Sequence, residues 1–128
     1  MNLLDTNIII TASKNIEPVA SFVRQAIEKN DLILSPIVIA EFSVKASLEE
    51  TEKLDLLIDK FKVVPIDTTI ARQAALYRKQ SIKKNTKVYL LDCFLAATAK
   101  VHNLTLVTHN TQDFPMKDIK IFDPLSLS

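Results

Sequence analysis

Short apolar runs alternate along this chain with stretches of helical spacing, and that alternation leaves few folds open to it. Asn2-Leu3-Leu4, Leu32-Ile33-Leu34, Val63-Val64-Pro65-Ile66, Leu104-Thr105-Leu106-Val107 and Ile119-Lys120-Ile121-Phe122 read as short strands or extended pieces. Pro65 places the third at an edge or a strand end, because proline has no N–H for a ladder. Helical spacing fills the intervals. Val19, Phe22, Val23, Ala26 and Ile27 follow Pro18, and Ser35-Pro36 is a cap and first turn for a helix from Ile37 to about Leu48. Thr51 is the expected cap of the next helix, with Leu54, Leu57, Ile58 and Phe61 inward. Asp67 caps one that runs to about Lys83, and Leu90 to about His102 forms the last. Buried strands alternating with helices predict a parallel α/β/α sandwich, whose sites gather beyond the C-terminal ends of the strands.

The 128 residues suit one domain, expected to span 1–128, and 48% apolar residues are enough for a core. Charged residues make up 24% and the net charge is +1, so any basic surface must be local. The complete lack of glycine excludes Gly-rich phosphate loops, and two histidines with one cysteine are too few for a convincing zinc site. The start, Met1 to Asp5, carries no basic leader and no long apolar run, so a cytoplasmic protein is expected.

Several acids stand where the pattern calls for apolar or neutral groups. Ile37, Val44 and Leu48 are spaced as an apolar stripe, and Glu41 falls on it. Asp92 falls on the stripe of Val88, Leu91, Leu95, Ala96 and Ala99. A charge on a buried face is costly unless it is paired or binds a metal. Asp5 ends an apolar strand, and the loop after Val107 adds Asp113, with Asn110 as a further oxygen donor. Oxygen donors from four separated segments suit a hard cation, Mg²⁺ or Mn²⁺, and such a site hydrolyses phosphodiesters. Each acid also has a purely structural reading. Asp5 can cap a helix starting near Ile8, Glu41 can reach solvent or an ion pair, Asp92 can cap its helix, and Asp113 can be a turn residue.

The ordered set of four motifs resembles the PIN-domain ribonucleases, in particular VapC-like toxins of type II toxin–antitoxin pairs. The pieces are Leu3-Leu4-Asp5-Thr6-Asn7, then Ser35-Pro36 leading to Ala40-Glu41, then Leu90-Leu91-Asp92-Cys93 through Ala99, and finally Leu106-Val107-Thr108-His109-Asn110 followed by Asp113-Phe114. The resemblance implies a five-stranded parallel sheet. It implies Mg²⁺ or Mn²⁺ held by Asp5, Glu41, Asp92 and a last-loop acid, and cleavage of RNA by a metal-activated water. It also implies a homodimer and a small antitoxin partner. Two departures stand out: the fourth ligand is either Asn110 or Asp113, and His109 stands where relatives often have arginine.

From Thr68 to Leu91 there are six basic residues, Arg72, Arg78, Lys79, Lys83, Lys84 and Lys87, and no acid. Lys83, Lys84 and Lys87 precede the Asp92 helix and are candidates for an RNA backbone, or else a solvated helix face. Thr6, Asn7, Thr108 and Asn110 are candidates for positioning a water or a phosphate oxygen. A phosphoryl-accepting signalling domain would need adjacent early acids, and a haloacid-dehalogenase-like phosphatase would need an acid where Asn7 stands. A catalytically inactive PIN-like RNA- or protein-binding module is the remaining alternative; Asp5, Glu41 and Asp92 argue against a dead site.

Overall fold

The computed structural model describes residues 1–127. Its elements in order are β1 (Asn2–Leu4), α1 (Thr6–Ser13), α2 (Val19–Glu28), β2 (Leu32–Ile33), α3 (Pro36–Lys45), α4 (Leu48–Lys60), α5 (Thr68–Lys83), α6 (Leu90–Val101), β3 (Thr105–Val107) and β4 (Lys120–Phe122). Short 3₁₀ turns occupy Thr111–Asp113 and Pro124–Leu127. All strand pairs are parallel, in the order β2-β1-β3-β4, and helices flank the sheet. The α/β sandwich read from the alternation is therefore the architecture of the described residues.

Among the described residues the sheet has four strands and not five. Val63 makes one isolated bridge to Leu34, through Leu34 N–H to the Lys62 carbonyl and Val64 N–H to the Leu34 carbonyl. The pairing stops there because β2 offers only two residues and Pro65 brings no donor. Leu3, Leu4, Leu106 and Val107 are fully buried and form the centre of the core with Ile8, Val38, Ile70 and Leu95. Among the described residues no helix is long and apolar enough to cross a membrane.

Three helix readings need correction. The cap of α4 is Ser47 and not Thr51: the Ser47 hydroxyl accepts from Glu50 N–H while the Glu50 carboxylate accepts from Ser47 N–H. In α3 the buried face is Val38 and Phe42, whereas Val44 is 79% exposed; the helix ends at Lys45, and Leu48, expected on its stripe, instead opens α4 and is 78% exposed. The segment is apolar almost all round, so two lines of residues compete in its periodicity, and the one carrying the phenyl ring is buried. Glu41 consequently lies on the exposed side of α3. Leu91, placed inward on the α6 stripe, is likewise half exposed, whereas Cys93 through Ala99 bring that helix against the core with Phe94 partly buried.

The missing glycine has a structural counterpart. Asn15, Asn30, Asn85 and Asn103 sit at φ 57°, 51°, 54° and 53°, each one residue beyond the C-cap of α1, α2, α5 or α6. After each, the next N–H reaches back to close the helix, as from Asp31 to the Ala26 carbonyl and from Leu104 to the Ala99 carbonyl. Asparagine is the non-glycine residue best suited to this left-handed exit.

The Ser47 cap is open to test by chemical denaturation. Ser47→Ala should destabilise the fold by about 1 kcal/mol, whereas Thr51→Ala should stay within about 0.5 kcal/mol of wild type. The reverse ranking would restore Thr51 as the cap.

Candidate active site

The chain reverses direction across the sheet between β1 and β3, since β2 lies on one side of β1 and β3 on the other. That switch point opens a crevice beyond the strand ends. Asp5 follows β1 and Thr108 follows β3, and the register Leu4↔Val107 sets them side by side. Asp5 N–H donates to the Val107 carbonyl at 2.9 Å, and the Thr108 hydroxyl donates to Asp5 Oδ2 at 2.8 Å. Asp5 Oδ1 accepts from Thr6 N–H at 2.8 Å, so Asp5 also caps α1. The capping reading of Asp5 is thus realised, with the helix starting at Thr6 and not near Ile8.

The hydroxyls around Asp5 are already engaged. Thr6 Oγ1 donates to Glu41 Oε1 at 2.9 Å, which brings the exposed face of α3 to the end of β1. Thr108 Oγ1 accepts from Asn110 N–H at 3.1 Å and lies 3.5 Å from Asn7 Nδ2, while Asn7 Oδ1 accepts from His109 N–H at 3.3 Å. Thr6, Asn7 and Thr108 therefore hold the acids and the loop in place. The imidazole of His109 bridges Thr11 Oγ1 at 3.2 Å and Asp123 Oδ1 at 3.0 Å. Thr11 and Asp123 were not legible as neighbours, because their proximity requires β3 and β4 to be paired. Asn110 is exposed, and its side chain makes no cap to the 3₁₀ turn that follows.

Electrostatics show which acids act on one another. Asp92, partly buried at the start of α6, has its carboxyl pushed up from an ordinary 3.8 to about 6. Desolvation is the largest cause, followed by the charges of Asp5, Asp113 and Glu41. Burial also raises Asp5, against the hydrogen bonds from Thr108 and Thr6 that favour its ionised form, and Asp113 adds to the rise. The four segments singled out in the sequence thus deliver their acids to one field. Asp113 is the last-loop acid whose charge raises both Asp5 and Asp92.

The donor set is oxygen only, which fits a hard divalent cation. Among the described residues no three His, Cys, Asp or Glu side chains are arranged to hold an ion outright. Of the remaining candidates, Lys83, Lys84 and Lys87 are exposed, and Lys87 Nζ lies 5.1 Å above the Tyr89 ring. Tyr77 is buried with its hydroxyl bonded to Asp118, which leaves it unable to stack on a base.

Residues 3–120 match the family model described as PIN domain. The chain is 30% identical to Toxin FitB of Neisseria gonorrhoeae, over 97% of this chain and 98% of that protein. It is 28% identical to Ribonuclease VapC10 of Mycobacterium tuberculosis, over 91% of this chain and 87% of that protein. Among solved structures it resembles a toxin-antitoxin complex from Klebsiella pneumoniae, with a TM-score of 0.76, 26% identity and coverage of 97% and 98% of the two chains.

The raised carboxyls make stability depend on pH with a definite sign. The folded chain holds the Asp92 proton up to about pH 6 while the unfolded chain releases it near 3.8. Folding is therefore favoured at low pH, and this contribution is lost as pH rises from about 4 through 6. Allowing for solvent screening of a partly buried group, the loss is about 1 to 2 kcal/mol. Thermal melts in EDTA should show it as a midpoint several degrees lower at pH 7 than at pH 5. Asp92→Asn should remove most of that fall. An equally steep fall in Asp92→Asn would assign it to other groups.

Proposed function

This chain belongs to the PIN-domain family, and on that premise we propose that it is a metal-dependent endoribonuclease and the toxin of a toxin–antitoxin pair. The observation that carries this reading is the convergence of Asp5, Glu41, Asp92 and Asp113 on one electrostatic field at the switch point of the sheet. Mutual repulsion among carboxylates is tolerable where a divalent cation is to be bound, and Mg²⁺ or Mn²⁺ suits the oxygen donors. When bound, such an ion supplies a water of lowered pKa and neutralises charge developing on a phosphoryl oxygen. Ribonuclease activity is the function named for the Mycobacterium relative, and it supports RNA as the substrate here.

The chain's own contribution is orientation. Thr6 N–H and Thr108 Oγ1 take one oxygen each of the Asp5 carboxylate and fix its plane. Thr6 Oγ1 does the same for one oxygen of Glu41. Asn110, exposed beside Thr108, is free to meet a phosphate oxygen. Lys83, Lys84 and Lys87, on a stretch without acids, supply the positive charge that a polyanion needs. No observation favours the inactive-module alternative.

A homodimer, a cytoplasmic location and an antitoxin partner belong to the same proposal; the Klebsiella complex supports the last. An apolar groove of about 410 Å³ runs between α1, α2 and α4, with Val23, Ile27, Leu56 and Leu57 in its lining and Arg24, Lys53 and Lys60 beside them. A partner segment that is apolar on one side and acidic on the other fits this chemistry.

Three outcomes are expected. Asp5→Asn and Asp92→Asn should each lower cleavage of an RNA panel in Mn²⁺ by more than about a hundredfold with unchanged circular dichroism, and Thr108→Val by roughly ten- to a hundredfold. Wild-type cleavage by either aspartate variant would refute the site. Leu56→Glu, at a residue 70% exposed, should weaken capture of the proposed antitoxin partner and leave RNA cleavage intact; undiminished capture would exclude the groove.

A further inference from the structure

A second cleft, of about 550 Å³, opens between the C-terminal end of α5 and the segment that follows Asp113. Lys83, Lys84 and Lys117 line it, and Asp118 is its one acid. Asp118 is already satisfied: Oδ1 accepts from the Tyr77 hydroxyl at 2.9 Å and Oδ2 lies 3.6 Å from Lys100 Nζ, which is not part of the lining. Among the described residues Lys83, Lys84 and Lys117 form no ion pair. Three uncompensated ammonium groups around one concavity repel one another, and an anion relieves that repulsion.

The wall of this cleft is built and not merely exposed. Ser81 is buried, donates from Oγ to the Thr86 carbonyl at 2.6 Å and accepts from Val88 N–H at 3.0 Å. Thr86 N–H returns to the Ser81 carbonyl at 2.9 Å, across the left-handed turn at Asn85. These bonds hold the loop that carries Lys84 against α5. Lys87 lies outside the lining, over Tyr89, so the structure separates it from Lys83 and Lys84.

Both walls lead to the acid cluster. Pro115 is two residues beyond Asp113, and Val88 is four before Asp92. At about 3.5 Å per extended residue, the cleft edge lies within about 7 Å and about 14 Å of those two acids along the chain. We infer that this cleft anchors the phosphodiester backbone of an RNA strand outside the point of cleavage, with Lys83, Lys84 and Lys117 as its charged contacts. The inference rests on the ribonuclease reading above, and it adds Lys117, which no motif contains. RNA is favoured over an acidic protein segment because the walls run into the acids where the same strand would be cut. The closed state of Tyr77 removes base stacking, so the cleft contacts backbone and is indifferent to sequence.

The test is anisotropy of a labelled single-stranded RNA of about twelve nucleotides, titrated with the full chain in EDTA across a salt series. Replacing Lys83, Lys84 and Lys117 together by alanine should flatten the slope of log K against log salt by about 2, or about 0.7 per contact, and weaken binding roughly tenfold or more at about 0.1 M salt. Replacing the three by arginine should preserve the slope, which separates lost charge from lost fold. An unchanged slope in a normally melting alanine variant overturns the proposal. So does tighter binding of polyglutamate than of RNA by wild type, if alanine abolishes it. Cleavage of the same RNA in Mn²⁺ is read separately. Wild type that binds with the lysine-dependent slope yet cuts nothing sinks the nuclease reading and leaves the cleft standing. Wild type that cuts, beside an alanine variant of unaltered slope, sinks the cleft alone.

Discussion

The pairing of β1 with β3 governs the rest of this molecule. The two strands come from opposite ends of the chain and are buried on both faces, so their register is set by the packing of Leu3, Leu4, Leu106 and Val107. That register sets Thr108 beside Asp5, and the hydrogen bond between them holds a carboxylate at the edge of the core. Without it Asp5 would be a buried acid with one oxygen unsatisfied, and the desolvation that already raises its carboxyl would lose its strongest opposing contact. The core and the site are therefore not separable: what fills the centre of the sheet also aims the acids.

A single crevice with like charges around it has two physical consequences. It disfavours the metal-free, fully ionised state, as the raised Asp92 carboxyl records. It also places a negative centre on a surface whose neighbouring helix end is positive, since α5 and the loop after it carry the basic residues. A polyanion approaching such a surface is drawn to the lysines and held off the carboxylates until a cation neutralises them. On the proposed reading, binding and cutting would fall to different groups.

Much of this was legible in the sequence, for identifiable reasons. Asp5 and Asp113 stand out because a strand end and a polar loop frame them, and Asp92 because its helix is otherwise apolar or small. The helices from Asp67 and Leu90 are placed closely, since a cap and a clear stripe mark them. Glu41 was selected on a different ground from the one that matters. Its supposed buried stripe is exposed, and its place in the site comes from the Thr6 hydroxyl. A fifth strand was expected where only one bridge forms, because local composition does not reveal that its partner strand ends after two residues. The bonds of His109 to Thr11 and Asp123 were hidden for a related reason: they join segments 98 and 14 residues away.

The four asparagine exits bear on how a chain of this size stays folded. Glycine at those positions would adopt the left-handed turn more easily, yet it would also widen the range of conformations open to the denatured chain, by about 0.5 to 1 kcal/mol per position. Asparagine accepts a small local strain in return for a less disordered starting ensemble. A backbone with no glycine anywhere therefore surrenders less freedom when it collapses. That saving helps a short protein retain a surface of repelling carboxylates that its packing alone would disfavour.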